Sequence, residues 1–328
     1  MSAPLPPHRR VFWRHVWAVK GAVSLHIAPR LLFFAAVSVF VVLLRDYIGY
    51  YGLEVGPVEL AGATLVLLMV LRTNAGYDRW WEGRKLWGGI VNQSRNFAIS
   101  TLSYTSNADR AFRERCVRWA AAFPHVAKRS LRGQRELPEL VPLVGEEHAA
   151  RIARAEHMPS AVAAEMAAVL REGVERRGLS PFAFLQCDRE RATLIDHIGA
   201  CERILRTPLP LVYVIKIRRY VFIYLVALPF ALVDEVGWLT PLLTTLVAYP
   251  VLGLDQIAVE LENPFAEENL SHLPLETIST TIEGNVLALP ESPSVPPTEP
   301  ITARRGRSRP PGTPGRSAPG RSRRRATS

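Results

Sequence analysis

The side chains able to do covalent or metal chemistry are present in this chain but are not arranged for it. Cys116, Cys187 and Cys201 are its three cysteines; none stands at the short spacing of a zinc pair, and an odd number in an intracellular setting points to free thiols. The eight histidines nowhere approach a paired-ligand pattern. No phosphate-binding glycine loop, GxSxG elbow or dinucleotide fingerprint occurs in a strand–turn–helix setting. Asp78 and Glu82 stand at i, i+4, which would put two carboxylates on one helix face. Arg79, Arg84 and Lys85 surround them, so the pattern is that of a salt-bridged helix surface. No catalytic residue, cofactor or metal site follows, and the chain is expected not to be an enzyme.

The elements around these residues explain why. Arg72 to Asn96, RTNAGYDRWWEGRKLWGGIVNQSRN, follows directly on an apolar run and lacks the glycine and proline pattern of a loop. Pro57 sits where a first-turn proline is tolerated and the next proline is Pro124, so one helix of about 45 residues, roughly 70 Å long, is expected. Such a helix outreaches a bilayer and projects into water. Four apolar runs stand out: Leu31 to Leu44, Leu60 to Leu71, Tyr220 to Val233 and Val236 to Leu254. They form two hairpins with weakly acidic turns at Asp46 to Glu59 and Asp234 to Glu235. His8, Arg9, Arg10, Arg14, Lys20 and Arg30 precede the first run, and Lys216, Arg218 and Arg219 precede the third. By the positive-inside rule both termini and the middle of the chain are cytoplasmic. No cleavable signal pattern is visible.

The organisation expected is a cytoplasmic segment over 1–30, a transmembrane hairpin over 31–94, a helical cytosolic domain over 95–210, a second hairpin over 211–260, a wrapping segment over 261–289 and a disordered tail over 290–328. The middle domain is read from helix-spaced apolar positions such as Phe112, Cys116, Trp119 and Phe123. The tail carries nine arginines and nine prolines against Glu291 and Glu299, with too little apolar surface to fold. Most of the net charge of +10 therefore belongs to the tail. The partner expected for it is the anionic head groups of membrane lipids, not nucleic acid.

Three separated segments resemble the bestrophins, in particular their bacterial homologues: RTNAGYDRWWEGRKLWG at Arg72 to Gly88, TPLPLVY at Thr207 to Tyr213, and ENPFAEENLSHLPL at Glu262 to Leu275. The resemblance covers roughly residues 8–289 and excludes the tail. It implies an all-α membrane protein with four transmembrane helices and a helical cytosolic domain in each subunit, assembled as a homopentamer around a central pore. It implies a passive channel of the inner membrane for small monovalent ions. Anion conduction, chloride above all, follows the family majority, and a sodium or potassium channel of the same fold is the alternative. A non-conducting membrane scaffold is the rival from another class. A coupled transporter would show inverted repeats or intramembrane charges, and neither is found.

In such a pentamer one helix per subunit faces the axis. The second apolar run offers Ala63, Leu67 and Leu71 at i, i+4, i+8, within about 80° of one another. By resemblance these match the family's hydrophobic neck, which gates by dewetting, although Ala63 is small and no aromatic side chain stands in the set. Leu209, between Pro208 and Pro210, matches the cytosolic aperture, and the prolines fix the backbone there. In the animal branch the segment matching Glu262 to Leu270 binds calcium, which needs six to eight oxygen ligands. Only Glu267 and Glu268 stand here, so no metal is assigned and the segment is read as structural. Tyr77, Trp80, Trp81 and Trp87 are expected as packing and interface anchors near the cytoplasmic membrane boundary.

Overall fold

The run of apolar residues between Pro57 and Leu71 does continue into the charged segment without a break. The structure, a computed structural model, describes residues 24–49, 52–105 and 110–291. The basic residues before 24 and the tail beyond 291 lie outside the described residues. Within them the chain is helical, with no strand. Helix α1 covers Ser24–Ile48 and α2 covers Val55–Tyr104, a helix of 50 residues. At 1.5 Å per residue α2 is about 75 Å long, and the sequence boundary at residue 95 falls inside it. Helices α3 (Arg110–Leu131), α4 (Leu140–Val144), α5 (Glu146–Arg154), α6 (Met158–Arg176) and α7 (Pro181–Arg206) follow. The chain then returns through α8 (Leu211–Val236) and α9 (Thr240–Glu262) and ends its described part with α10 (Leu275–Leu287) and a short 3-10 turn.

Two apolar centres result. In the first, α1, the start of α2, α8 and α9 pack together around Phe34, Leu65, Met69, Leu225, Ala248 and Leu252. The outer faces of these helices are also apolar: Leu32, Phe40, Leu242 and Leu246 are each more than half exposed. Helices that are apolar on every face and long enough to span, as three stretches here are, are stable only where the surrounding medium is itself apolar. The second centre holds the rest of α2 against α3, α6, α7 and α10. Helix α3 is its axis, buried on all sides from Trp119 to Lys128.

Both connections within the apolar bundle lie at one end. Asp234 pairs with Arg45 at 3.2 Å and accepts a hydrogen bond from Gly52 N at 2.6 Å. The turn between α8 and α9 falls at Gly237–Leu239, not at Asp234 and Glu235 as expected. The reason is local: the Asp234 carboxylate is engaged with neighbouring segments, and Gly237, at φ +54°, is the first residue free to take a backbone angle that side chains disfavour.

Candidate pore-lining face

The face of α2 turned away from its own chain is continuous. Leu60, Ala63, Leu67, Leu71, Asn74, Asp78, Trp81 and Lys85 are all exposed and recur every three or four residues, and two turns further on the exposed Asn92 and Asn96 continue the same face. Its upper part is apolar, with Leu67 59% and Leu71 51% exposed. Below Leu71 it becomes polar. The opposite face is pinned to the rest of the chain by close approach. A Cβ added at Gly76 would lie 3.0 Å from the Ala258 carbonyl of α9, and one at Gly83 would lie 3.0 Å from Pro264. One turn before Gly76, Arg72, 1% exposed, stands 2.7 Å from the buried Asp255 carboxylate, an ion contact whose N–H bonds do not point at the oxygen. Arg218 shares that carboxylate at 3.3 Å. The pair ties α2, α8 and α9 together just where the apolar runs end.

Leu209 lies in the short link between α7 and α8 and is half-buried, whereas Thr207, Pro208 and Pro210 are exposed. The link is held from two sides. Arg79 donates from Nε to the Glu262 carbonyl at 3.0 Å, from Nη1 to the Thr207 carbonyl at 2.6 Å, and from Nη2 to the Ile204 carbonyl. Those carbonyls belong to the open C-terminal ends of α9 and α7, where a cation is favoured by both hydrogen bonding and the helix dipole. Glu262 Oε1 in turn accepts from Leu209 N at 3.2 Å. The link that carries Leu209 is thus locked to α2 at Arg79, about 12 Å along the helix from Leu71. Ala63, Leu67 and Leu71 share one exposed face of α2, whereas Leu209 stands on a separate link that this clamp ties to the same helix. The sequence places Arg79 only among the charges of a salt-bridged helix surface, because backbone carbonyls freed by distant helix ends leave no mark in the local sequence.

The aromatic residues divide. Trp80 donates from Nε1 to the Ser271 carbonyl at 2.8 Å and stacks on Tyr77 at 6.2 Å, and Trp81 is 45% exposed. Trp87, expected near a membrane boundary, is fully buried in the second centre, about 24 Å beyond Leu71. The Glu262 to Leu275 segment docks on the same helix: Phe265 is fully buried beside Gly83, and Asn269, Leu270 and Leu273 close hydrogen bonds back to Glu260, Asn263 and Pro264. Its carboxylates do not fit calcium. Glu267 lies 3.3 Å from Arg132, whose Nε donates to the Phe265 carbonyl, so a guanidinium stands where a cation would need open oxygens. Among the described residues no group of three His, Cys, Asp or Glu side chains is placed to hold a metal. The three thiols are buried in α3 and α7, and burial pushes each up to about 12, which keeps them unreactive.

A helical membrane protein with one long helix exposing an apolar-then-polar stripe is the class this geometry defines. The sequence model of the bacterial/fungal bestrophin protein family matches residues 5–288, and the chain belongs to that family. It is 32% identical over 288 residues to a voltage-dependent anion channel-forming protein of Nostoc, covering 85% of this chain and 91% of that one. A protein of the same description from Escherichia coli K12 is 30% identical over 292 residues, covering 88% and 93%. A crystal structure of a bacterial bestrophin homologue from Klebsiella pneumoniae superposes with a TM-score of 0.74 at 28% identity, over 80% of this chain and 98% of that one.

Proposed function

We propose that this chain assembles as a homopentamer around one central pore and conducts small monovalent ions passively, with anions, chloride among them, favoured. The observation that carries the reading is the open stripe of α2. Leu67 and Leu71 are large, apolar and uncovered by their own chain, at a level where covering is needed and where five copies would supply it. Below them Asn74, Asp78 and Lys85 offer polar lining to a wider passage. An apolar ring of this kind holds back a hydrated ion until it widens. The relatives described as anion channel-forming support the choice of ion. Each subunit crosses the bacterial inner membrane four times, by α1, the start of α2, α8 and α9. The second helical centre and both termini lie in the cytoplasm, supported by Arg30, Lys216, Arg218 and Arg219 at one end of the apolar spans. No catalytic chemistry is required.

Asp78 favours a second reading, a monovalent cation channel of the same fold, because it is the first charged side chain on the stripe below Leu71. The reversal potential of the purified protein in a planar bilayer under an asymmetric salt gradient decides between them. Current reversing near the anion equilibrium potential is expected. Leu209→Ala should raise single-channel conductance severalfold if that side chain narrows the aperture, and Thr207→Ala, at the more exposed position, is the comparison. Absence of current from verified oligomers across voltage and pH would leave the scaffold reading in its place.

A further inference from the structure

A cavity of about 540 Å³ lies between α1, α8 and α9, away from the stripe of α2. Phe33, Phe34, Phe222 and Leu252 form its apolar wall, and Arg30, Arg218 and Asp255 complete the lining. Each arginine stands one helical turn before an aromatic residue: Arg30 before Phe33 and Phe34 on α1, Arg218 before Phe222 on α8. Phe33 and Phe222 stack across the two helices at 6.3 Å and 22°, and Phe34 closes on Phe222 at 6.0 Å. The charges therefore gather where the apolar runs stop, and the ring-lined wall runs from them into the apolar span.

The charge count around the cavity does not balance. Asp255 already faces the buried Arg72 at 2.7 Å and is shared with Arg218 at 3.3 Å. Among the described residues Arg30 is in no ion pair with a carboxylate. The lining thus sets two guanidinium groups, Arg30 and Arg218, against one carboxylate that is already engaged with Arg72, leaving an excess of positive charge beside an apolar groove. A zwitterionic or neutral occupant would not answer that excess.

We propose that this cavity binds one anionic phospholipid from the leaflet on the side of the long helical extension. Its phosphate lies against Arg30 and Arg218, which offer paired donors matched to phosphate oxygens, and one acyl chain lies along Phe33 and Phe222. The site rests on insertion in a membrane and is independent of which ion passes, or whether any does.

The test uses the full chain in detergent with phosphatidylglycerol and phosphatidylcholine probes, each carrying a photoactivatable acyl chain, followed by peptide mapping. Saturable labelling of peptides holding Phe33 and Phe222 is expected, preferring phosphatidylglycerol. Arg30→Gln combined with Arg218→Gln should weaken it about tenfold or more. Lys216→Gln, which removes one positive charge outside the cavity as Arg30→Gln alone removes one inside it, should leave it unchanged. Because Arg218 also touches Asp255, Arg30→Gln alone is the second variant and should weaken labelling severalfold while the oligomer elutes normally. Equal labelling by the two lipids, labelling confined to the arginine-rich tail, or full labelling of the Arg30→Gln variant would each overturn the site. So would contact of Phe33 with residues 1–23 or with a second copy in place of lipid.

Discussion

Asp78 is the first ionisable side chain below Leu71 on the open stripe of α2, with Asn74 between them and Lys85 two turns further on. In a pentamer its five copies would set the sign of the potential just under the neck, before the lysines oppose it, and a ring of like charges in a confined passage is felt more strongly than in open water. Asp78→Asn should raise the anion-to-cation permeability ratio severalfold, and Lys85→Gln should lower it, both read from the reversal potential. Opposite signs for the two variants are the point of the pair: a structural disturbance would move both one way, and no movement in either would take the stripe out of the ion path. Leu67 and Leu71 carry no charge, so a neck formed by them is expected to govern conductance and gating, with the ion choice made below it.

Helix α3 shows how the elements outside the pore are held in register. Lys128, fully buried, donates to Glu139 at 2.8 Å and also to Glu276 of α10, while Arg129 donates to the same Glu139 at 2.7 Å. Burial pushes the Glu139 carboxyl up, but the hydrogen bonds from Arg129 and Lys128 outweigh it and bring it to about 2, from an ordinary 4.5. A carboxyl lowered in the folded state stabilises fully above its unfolded value, and that stabilisation is lost as pH falls from 4.5 through about 2. Glu139→Gln should therefore cost about 1–3 kcal/mol at neutral pH, with the gap to the parent protein closing as thermal unfolding is repeated toward pH 3. A gap that stays constant with pH would assign the loss to packing instead. What could be read in advance at this scale follows from periodicity. The apolar runs, the unbroken α2 and the switch to polar residues at Arg72 are local patterns, and so is the sharing of one face by Ala63, Leu67 and Leu71. The clamp of Arg79 on Ile204, Thr207 and Glu262 was not legible, since its partners are backbone atoms of helix ends more than a hundred residues away. Trp87 was misplaced for the same reason: its neighbours in the second centre come from separate helices, and nothing in its own surroundings distinguishes a core indole from one at a membrane surface.

At the scale of the whole molecule, α2 is the element that belongs to both helical centres. Gly76, Gly83 and Arg72 commit one side of it to its own chain, and the leucines on the other side are left uncovered by that chain, the face that the proposed assembly would bury. The three native thiols are buried and pushed up to about 12, so an introduced cysteine can be oxidised against a quiet background. Leu67→Cys, on the open face, should form disulfide-linked dimers on mild oxidation in the membrane, because a narrow neck brings equivalent positions of neighbouring subunits to within the few ångströms that a disulfide requires. Met69→Cys, two residues away but 2% exposed and turned into the bundle of its own subunit, should not. Linked dimers from Leu67→Cys alone, appearing on a denaturing gel and vanishing with reductant, place this face at a subunit junction around an axis. Equal linkage at both positions would mean that the disulfides come from random collision, and linkage at Met69 alone would turn the helix over and put the stripe of α2 against lipid.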